Sequence, residues 1–197
     1  MGEPGFGNFA KILKMKGSQS SLYQELQDLI TKHQKELAHL QALSNTELKQ
    51  QPAPDKWSAL ECMEHLCRYG DFYLPEVKRA GQSAPKSKAD RFKSSWLGEY
   101  FAASMWPKEG FKTMNTFKNM NPSLSDTRME VLEQFETQLK AWAILVADLK
   151  DRDWQNTKTG ISISSMIKLR LGDTLRVVFY HNERHMRQAF RAAGLES

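Results

Sequence analysis

Cysteine is scarce. Cys62 and Cys67 are the only two in 197 residues. They stand five apart on one helical pattern and point in different directions, so no disulfide framework is available and a reduced, cytosolic compartment fits. Long apolar runs are missing too. The longest, Ala141–Ala147, spans seven residues, against about 20 for a membrane-spanning helix. Met1–Gly17 carries Lys11, Lys14 and Lys16 without a continuous apolar stretch, so it does not read as a secretory signal. Seven prolines and 11 glycines are too few for fibrous or low-complexity classes. No sign of charge dominates: 28 Lys and Arg against 23 Asp and Glu leave +5. Basic residues thicken only over Lys78–Lys93, without a stripe of interleaved aromatics. That pattern disfavours nucleic acid as a partner and leaves small anions.

What is present is a chain of single-domain length, 40% hydrophobic and 10% aromatic, enough to bury a core. Residues 1–17 read as a flexible N-terminal extension and residues 18–197 as one domain. Four segments carry helical periodicity. The first, about Ser21–Leu43, places Leu22, Leu26, Leu29, His33, Leu37 and Leu40 on one stripe behind a Ser21/Gln24 capping box. A short turn at Asn45–Gln50 follows, and Pro52 and Pro54 forbid continuation. The second begins at the Ser58/Glu61 capping box, carries Cys62, Leu66, Tyr69, Tyr73 and Val77, and ends near Gly81. The third repeats Leu132, Phe135, Leu139, Trp142, Val146 and Leu149 at alternating spacings of three and four. Gly172-Asp173 offers a cap for the fourth, about Asp173–Ala193, which has the stripe Leu175, Val178, His181, His185 and Ala189, and Gly194 as its stop. Between the second and third lies a long weaker stretch, 82–121, with a short helical pattern at Trp96–Trp106. Gly160–Arg170 is β-tolerant and ambiguous, and no convincing strand pair appears. The expected class is all-α, a four-helix bundle with a long crossover between helices two and three.

The sharpest chemical feature is His181-x-x-x-His185 on the inner stripe of the fourth helix, where two imidazoles one turn apart reach a common point. His65, early on the second helix at the edge of its apolar arc, is the third candidate ligand. Three neutral imidazoles leave a divalent cation an open position, the catalytic rather than structural pattern. They suit nickel, zinc and iron alike.

Lys56-Trp57-Ser58, then Glu64-His65-Leu66, and Tyr180-His181-Asn182-Glu183-Arg184-His185 with a trailing Gln188 complete a recognisable set. In order and placement the chain resembles the DinB-like superfamily of metal-dependent enzymes, which includes the YfiT-like proteins. The resemblance runs over about Ser21–Ala193. It implies a bundle with a crossover between helices two and three, a metal site at His65, His181 and His185 holding nickel or zinc, and a homodimer. Relatives implied by it include thiol S-transferases, mycothiol-dependent isomerases and metal-dependent hydrolases.

Other residues offer lesser roles. Glu61 could hydrogen-bond a ligand imidazole, although its place three residues after Ser58 favours the cap. Glu183 points away from the histidine face and pairs with Arg187 in a solvated salt bridge. Cys62 reads as a buried filler, His33 as a core histidine and His39 as surface. Tyr69 and Tyr180 offer hydroxyls, Trp57 packs the start of the second helix, and Lys112, Lys118, Arg184, Arg187 and Arg191 could attract an anionic substrate. The segment Ser94–Pro122, with Trp96, Trp106, Phe111 and Phe117, is the expected wall over the metal. No Ser-His-Asp pattern or activated cysteine is evident, which favours metal-activated chemistry on a small molecule over covalent catalysis. Hydrolysis of an ester or amide and transfer of a low-molecular-weight thiol are the two reactions that fit. A non-catalytic bundle stabilised by metal is the alternative.

Overall fold

Serine caps start the first four helices. Ser18 opens α1 (Gln19–Gln41), its hydroxyl accepting from the Ser21 amide, so this helix begins one turn before the Ser21/Gln24 box; Gln24 bonds Asp28 instead. Ser44 with Glu47 and Ser58 with Glu61 form full capping boxes for α2 (Asn45–Lys49) and α3 (Ala59–Gln82). Ser95 caps α4 (Trp96–Met105), and α5 (Glu130–Asp148) and α6 (Leu171–Ala192) complete the long helices. Gly194 ends α6 with a φ of 70°. The computed structural model describes residues 16–87, 89–107, 116–122 and 127–195. Of the N-terminal extension at 1–17, residues 1–15 lie outside this range, as do Phe111 and Lys112.

The chain is mostly helical, but two small antiparallel pairings correct the expectation that strands are absent. β1 (Lys16–Gly17) pairs with β2 (Phe92–Lys93). β3 (Lys158–Ile161) and β4 (Ser164–Arg170) form a hairpin that resolves the ambiguous 160–170 segment and runs straight into α6. Only three of its side chains are buried, Thr159 and Ile161 on β3 and Leu169 directly opposite Thr159, while most of β4 stays at least partly exposed.

The long helices arrange around two apolar clusters. One holds the end of α1, the starts of α3 and α5 and the end of α6, with Leu40, Leu66, Phe135 and Phe190. The other holds the start of α1, the ends of α3 and α5 and the start of α6, with Leu26, Val77, Trp142 and Leu175. α1 and α6 therefore run one way and α3 and α5 the other. α3 packs against both α5 and α6, and α1 against the same two. Because α3 and α5 are parallel neighbours, the chain between them must return along their length, which is why 83–129 is long and carries β2, α4 and a 3-10 turn at Lys118–Met120.

α6 is buried along most of its length, polar residues included. Asp173, offered by the sequence as a cap for its own helix, instead lies in the first turn of α6 and serves α4. Its carboxylate accepts from the Ser94 hydroxyl, the Ser95 amide at 3.0 Å and the Ser95 hydroxyl at 2.7 Å. Gly98 permits this approach, since a Cβ there would meet Asp173 Cγ at 2.1 Å. Glu183 is 1% exposed, not solvated. It accepts from Lys32 at 2.5 Å, His33 at 3.1 Å and Arg187 at 2.6 Å, pinning α6 to α1.

Burial alone would raise the Glu183 carboxyl; the hydrogen bond and charge of His33 and the charge of Lys32 outweigh it and hold the group well below 4.5. A depressed carboxyl stabilises the fold above its unfolded value and loses that contribution as pH falls. Glu183→Gln should therefore cost about 1–3 kcal/mol at pH 7. Urea titrations of both proteins should converge as pH drops below 4.5. A gap that stays constant down to pH 3 would contradict this account.

Candidate metal centre and its cavity

α3 presents His65, buried to 2% exposure rather than at an apolar edge. α6 presents His181 and His185, one turn apart, with ring centroids at 4.6 Å. Across the seam His65 lies 5.0 Å from His181 and 4.5 Å from His185 by ring centroid. One nitrogen from each ring lies within 4.8 Å of the other two, and Nε2 of His65 is 3.1 Å from Nε2 of His181.

The outer nitrogens fix which inner ones carry lone pairs. His65 Nδ1 donates to the Met120 carbonyl at 2.8 Å. A carbonyl only accepts, so in the neutral ring Nε2 is bare. His185 Nδ1 donates to Gln188 Oε1 at 3.0 Å, which bares its Nε2 in the same way. The bare nitrogens converge beside His181, which can supply one proton at most. A divalent cation fits this donor set, and Met120 and Gln188 orient it as partners of metal-bound imidazoles do.

The rings form one wall of a cavity of about 770 Å³. Trp57 lies 4.8 Å from His65 and 5.7 Å from His185, and Tyr69 lies 4.9 Å from His65 and 4.5 Å from His181. α4 contributes Tyr100 and Ser104, the residues flanking the 3-10 turn, Phe117 and Asn121, join them, and the hairpin contributes Ile161 and Leu169.

A profile of the DinB superfamily matches residues 29–189, including all three histidines. The chain belongs to the DinB superfamily. Neither the curated proteins nor the solved structures contain a significant match.

In this DinB-superfamily chain the lesser candidates separate cleanly. Glu61 accepts from the Ser58 amide at 2.8 Å and from Gln51 at 3.1 Å, so its carboxylate serves the cap. The groups that orient the imidazoles are Met120 and Gln188 instead. Gln188 is readable as the residue trailing the histidine pair, whereas a backbone carbonyl from 55 residues away leaves no mark in sequence. Tyr180 turns from the cavity to bond Glu25 at 2.5 Å, while Tyr69 faces the imidazoles. Trp57 does more than pack a helix start, since it covers two of the three rings. Of the expected wall, Tyr100, Phe101 and Phe117 line the cavity, Trp106 packs on Tyr180 and Trp96 is 82% exposed. Cys62 is a buried filler and His33 a buried partner of Glu183; His39 is exposed.

Burial, with a contribution from the charge of Arg68, lowers His65 to about 4 against the raising effect of the Met120 bond. Burial and neighbouring charges lower His181 and His185 well below 6.5. All three are neutral near pH 7. The unfolded chain takes up protons first, so the fold loses stability as pH falls from 6.5. Nitrogen-detected NMR of chelator-dialysed protein should find His65 in the Nδ1–H form and titrating near 4. An imidazole that titrates at 6.5 or above, or the opposite tautomer, would contradict this geometry.

Proposed function

We propose that this chain is a metal-dependent enzyme in which His65, His181 and His185 hold a divalent ion, nickel or zinc, at the wall of a substrate cavity. The four long helices form the four-helix bundle around it. The convergence of three neutral imidazoles on the cavity wall carries the reading. Three protein ligands leave a position open, and the ion supplies a Lewis acid that lowers the pKa of a water or thiol brought to it.

The chain's own residues do the rest. Met120 and Gln188 keep Nδ1 of their rings protonated, so that both Nε2 atoms face inward. Trp57 and Tyr69 cover the imidazoles and limit access of bulk water. Burial pushes the Tyr69 hydroxyl up to about 12, so it stays a hydrogen-bond donor towards a substrate oxygen. Burial raises both thiols, which removes Cys62 and Cys67 as nucleophiles. This supports chemistry on an activated water or on an incoming thiol: hydrolysis of an ester or amide, or thiol S-transfer.

The alternative, a metal that only ties α3 to α6, expects a closed fourth position; the cavity beside the imidazoles favours the open one. A homodimer belongs to the same proposal, supported by the exposed Trp96 and by Met166 at 90% exposure. Two free cysteines support a reduced, cytoplasmic setting. Among the described residues no helix is long and apolar enough to cross a membrane.

Elemental analysis of protein purified without tag or chelator should find about one equivalent of nickel or zinc, absent in His185→Ala. Parent protein that is empty and takes up no added metal would sink the reading. Gln188→Ala should weaken metal binding about 10–100-fold while leaving the fold intact. Unchanged affinity in a chelator competition would deny the orienting role.

A further inference from the structure

Apart from the imidazoles, one polar side chain among the described cavity residues is enclosed and unanswered. Asn182 lines the cavity and is 4% exposed, yet its amide makes no hydrogen bond. Its neighbours on the wall are met: the Ser104 hydroxyl donates to the Phe101 carbonyl at 2.7 Å, Ser162 meets the Tyr73 hydroxyl at 3.3 Å, and Gln188 Oε1 accepts from His185 at 3.0 Å. A buried amide is ordinarily met by protein or water, because leaving it unmet costs free energy. On α6, Asn182 follows His181 directly, lies four residues after Val178 and three before His185, and all four line the cavity. Residues three and four apart on a helix are neighbours on its surface. A ligand that meets the Asn182 amide therefore lies beside both Val178 and the histidine pair.

We propose that the cavity takes a substrate bearing a primary carboxamide or a lactam, held by Asn182 in a two-bond amide pair, with an apolar or aryl body against Val178 and Leu169. The asparagine amide presents an Nδ2–H donor and an Oδ1 acceptor side by side. A primary carboxamide or a lactam carries the complementary N–H and C=O on one edge. A trans secondary amide turns its N–H away from its carbonyl and offers one of them at a time. A ketone or ester has no N–H and leaves Oδ1 unmet, and a site built to bond an N–H rejects the analogue that lacks it. Asn182 is a positioning residue in this scheme. The volume of about 770 Å³ accommodates such a molecule whole, and its apolar body gains by leaving water. This assignment rests on reading the cavity as a substrate site.

Calorimetric titration with 4-phenylbutanamide, N-methyl-4-phenylbutanamide and 5-phenylpentan-2-one tests it, since the three share one body and differ in the donor beside the carbonyl. The primary amide should bind once per chain, at least about tenfold tighter than the ketone, with the N-methyl amide near the ketone. Asn182→Leu and the smaller Asn182→Ala should each erase that preference, bringing the primary amide to the ketone's level. Val178→Ala should weaken amide and ketone alike and keep the preference between them. Equal affinity for amide and ketone in the parent, a preference that survives both Asn182 substitutions, or no saturable binding overturns the proposal. The comparison within the parent decides even where a variant fails to fold. Metal content is read on the same protein. Bound metal without amide discrimination sinks this proposal alone, and amide discrimination without metal sinks the metal reading alone.

Discussion

A buried polar helix sets the terms for this structure. α6 is enclosed along most of its length, yet its buried face includes Asp173, Thr174, Arg176, His181, Asn182, Glu183 and His185. A polar group removed from water costs free energy unless another group meets it. Much of the architecture around α6 supplies those partners. The start of α4 gives Ser94 and Ser95 to Asp173; β3 gives Thr159 to Thr174 at 2.5 Å; α1 gives Lys32 and His33 to Glu183. Arg176 finds Glu99 at 2.9 Å. The crossover, the hairpin and α1 are each held against α6 by at least one such bond. The histidines stand apart in this pattern. His65 and His185 have their outer nitrogens met by the protein, while their inner nitrogens converge with that of His181 on one point.

That pattern explains what the sequence could and could not reveal. Signals within one turn were legible: the Ser58/Glu61 box, the spacing of Leu132, Phe135 and Leu139, and the four-residue step from His181 to His185 all act over three or four residues. The grouping of three histidines was legible because His65 and the α6 pair follow a family pattern in chain order. Partners distant in sequence were not legible. Glu183 and Arg187 show a helical ion pair, but nothing local says that α1 covers them, so burial was missed while the pairing was right. Asp173 looked like a cap for its own helix because the residues it bonds, Ser94 and Ser95 ahead of α4, lie 79 and 78 residues earlier. The hairpin hid because β4 is mostly exposed and its pairing shifts register between Gly160 and Ile161, leaving no clean alternation.

The parallel course of α3 and α5 links fold to function. Had they been antiparallel, a short turn would have joined them and the outer side of the α3–α6 seam would be open to water. Their parallel course forces the chain back along the molecule. The returning segment supplies α4 and the 3-10 turn, which bring Tyr100 and Ser104 to the cavity and the Met120 carbonyl to His65. The Met120 carbonyl orients His65, so the connection that topology requires also sets the tautomer at the site.

The same packing weighs on whether an ion at this point would be a staple. α3 and α6 meet in both apolar clusters, through Leu66 and Met186 on one side of the histidines and Val77 and Leu175 on the other. Small domains that depend on a structural metal lack such a core, and the ion supplies their folding free energy. Here the seam is closed by apolar contact at both ends, and the imidazoles occupy the interval where it opens into a cavity. An ion held there adds little that the core does not already provide to cohesion. What it would add is a Lewis acid facing the cavity that Tyr69, Leu169 and Val178 line, and that supports the proposed chemistry over architecture.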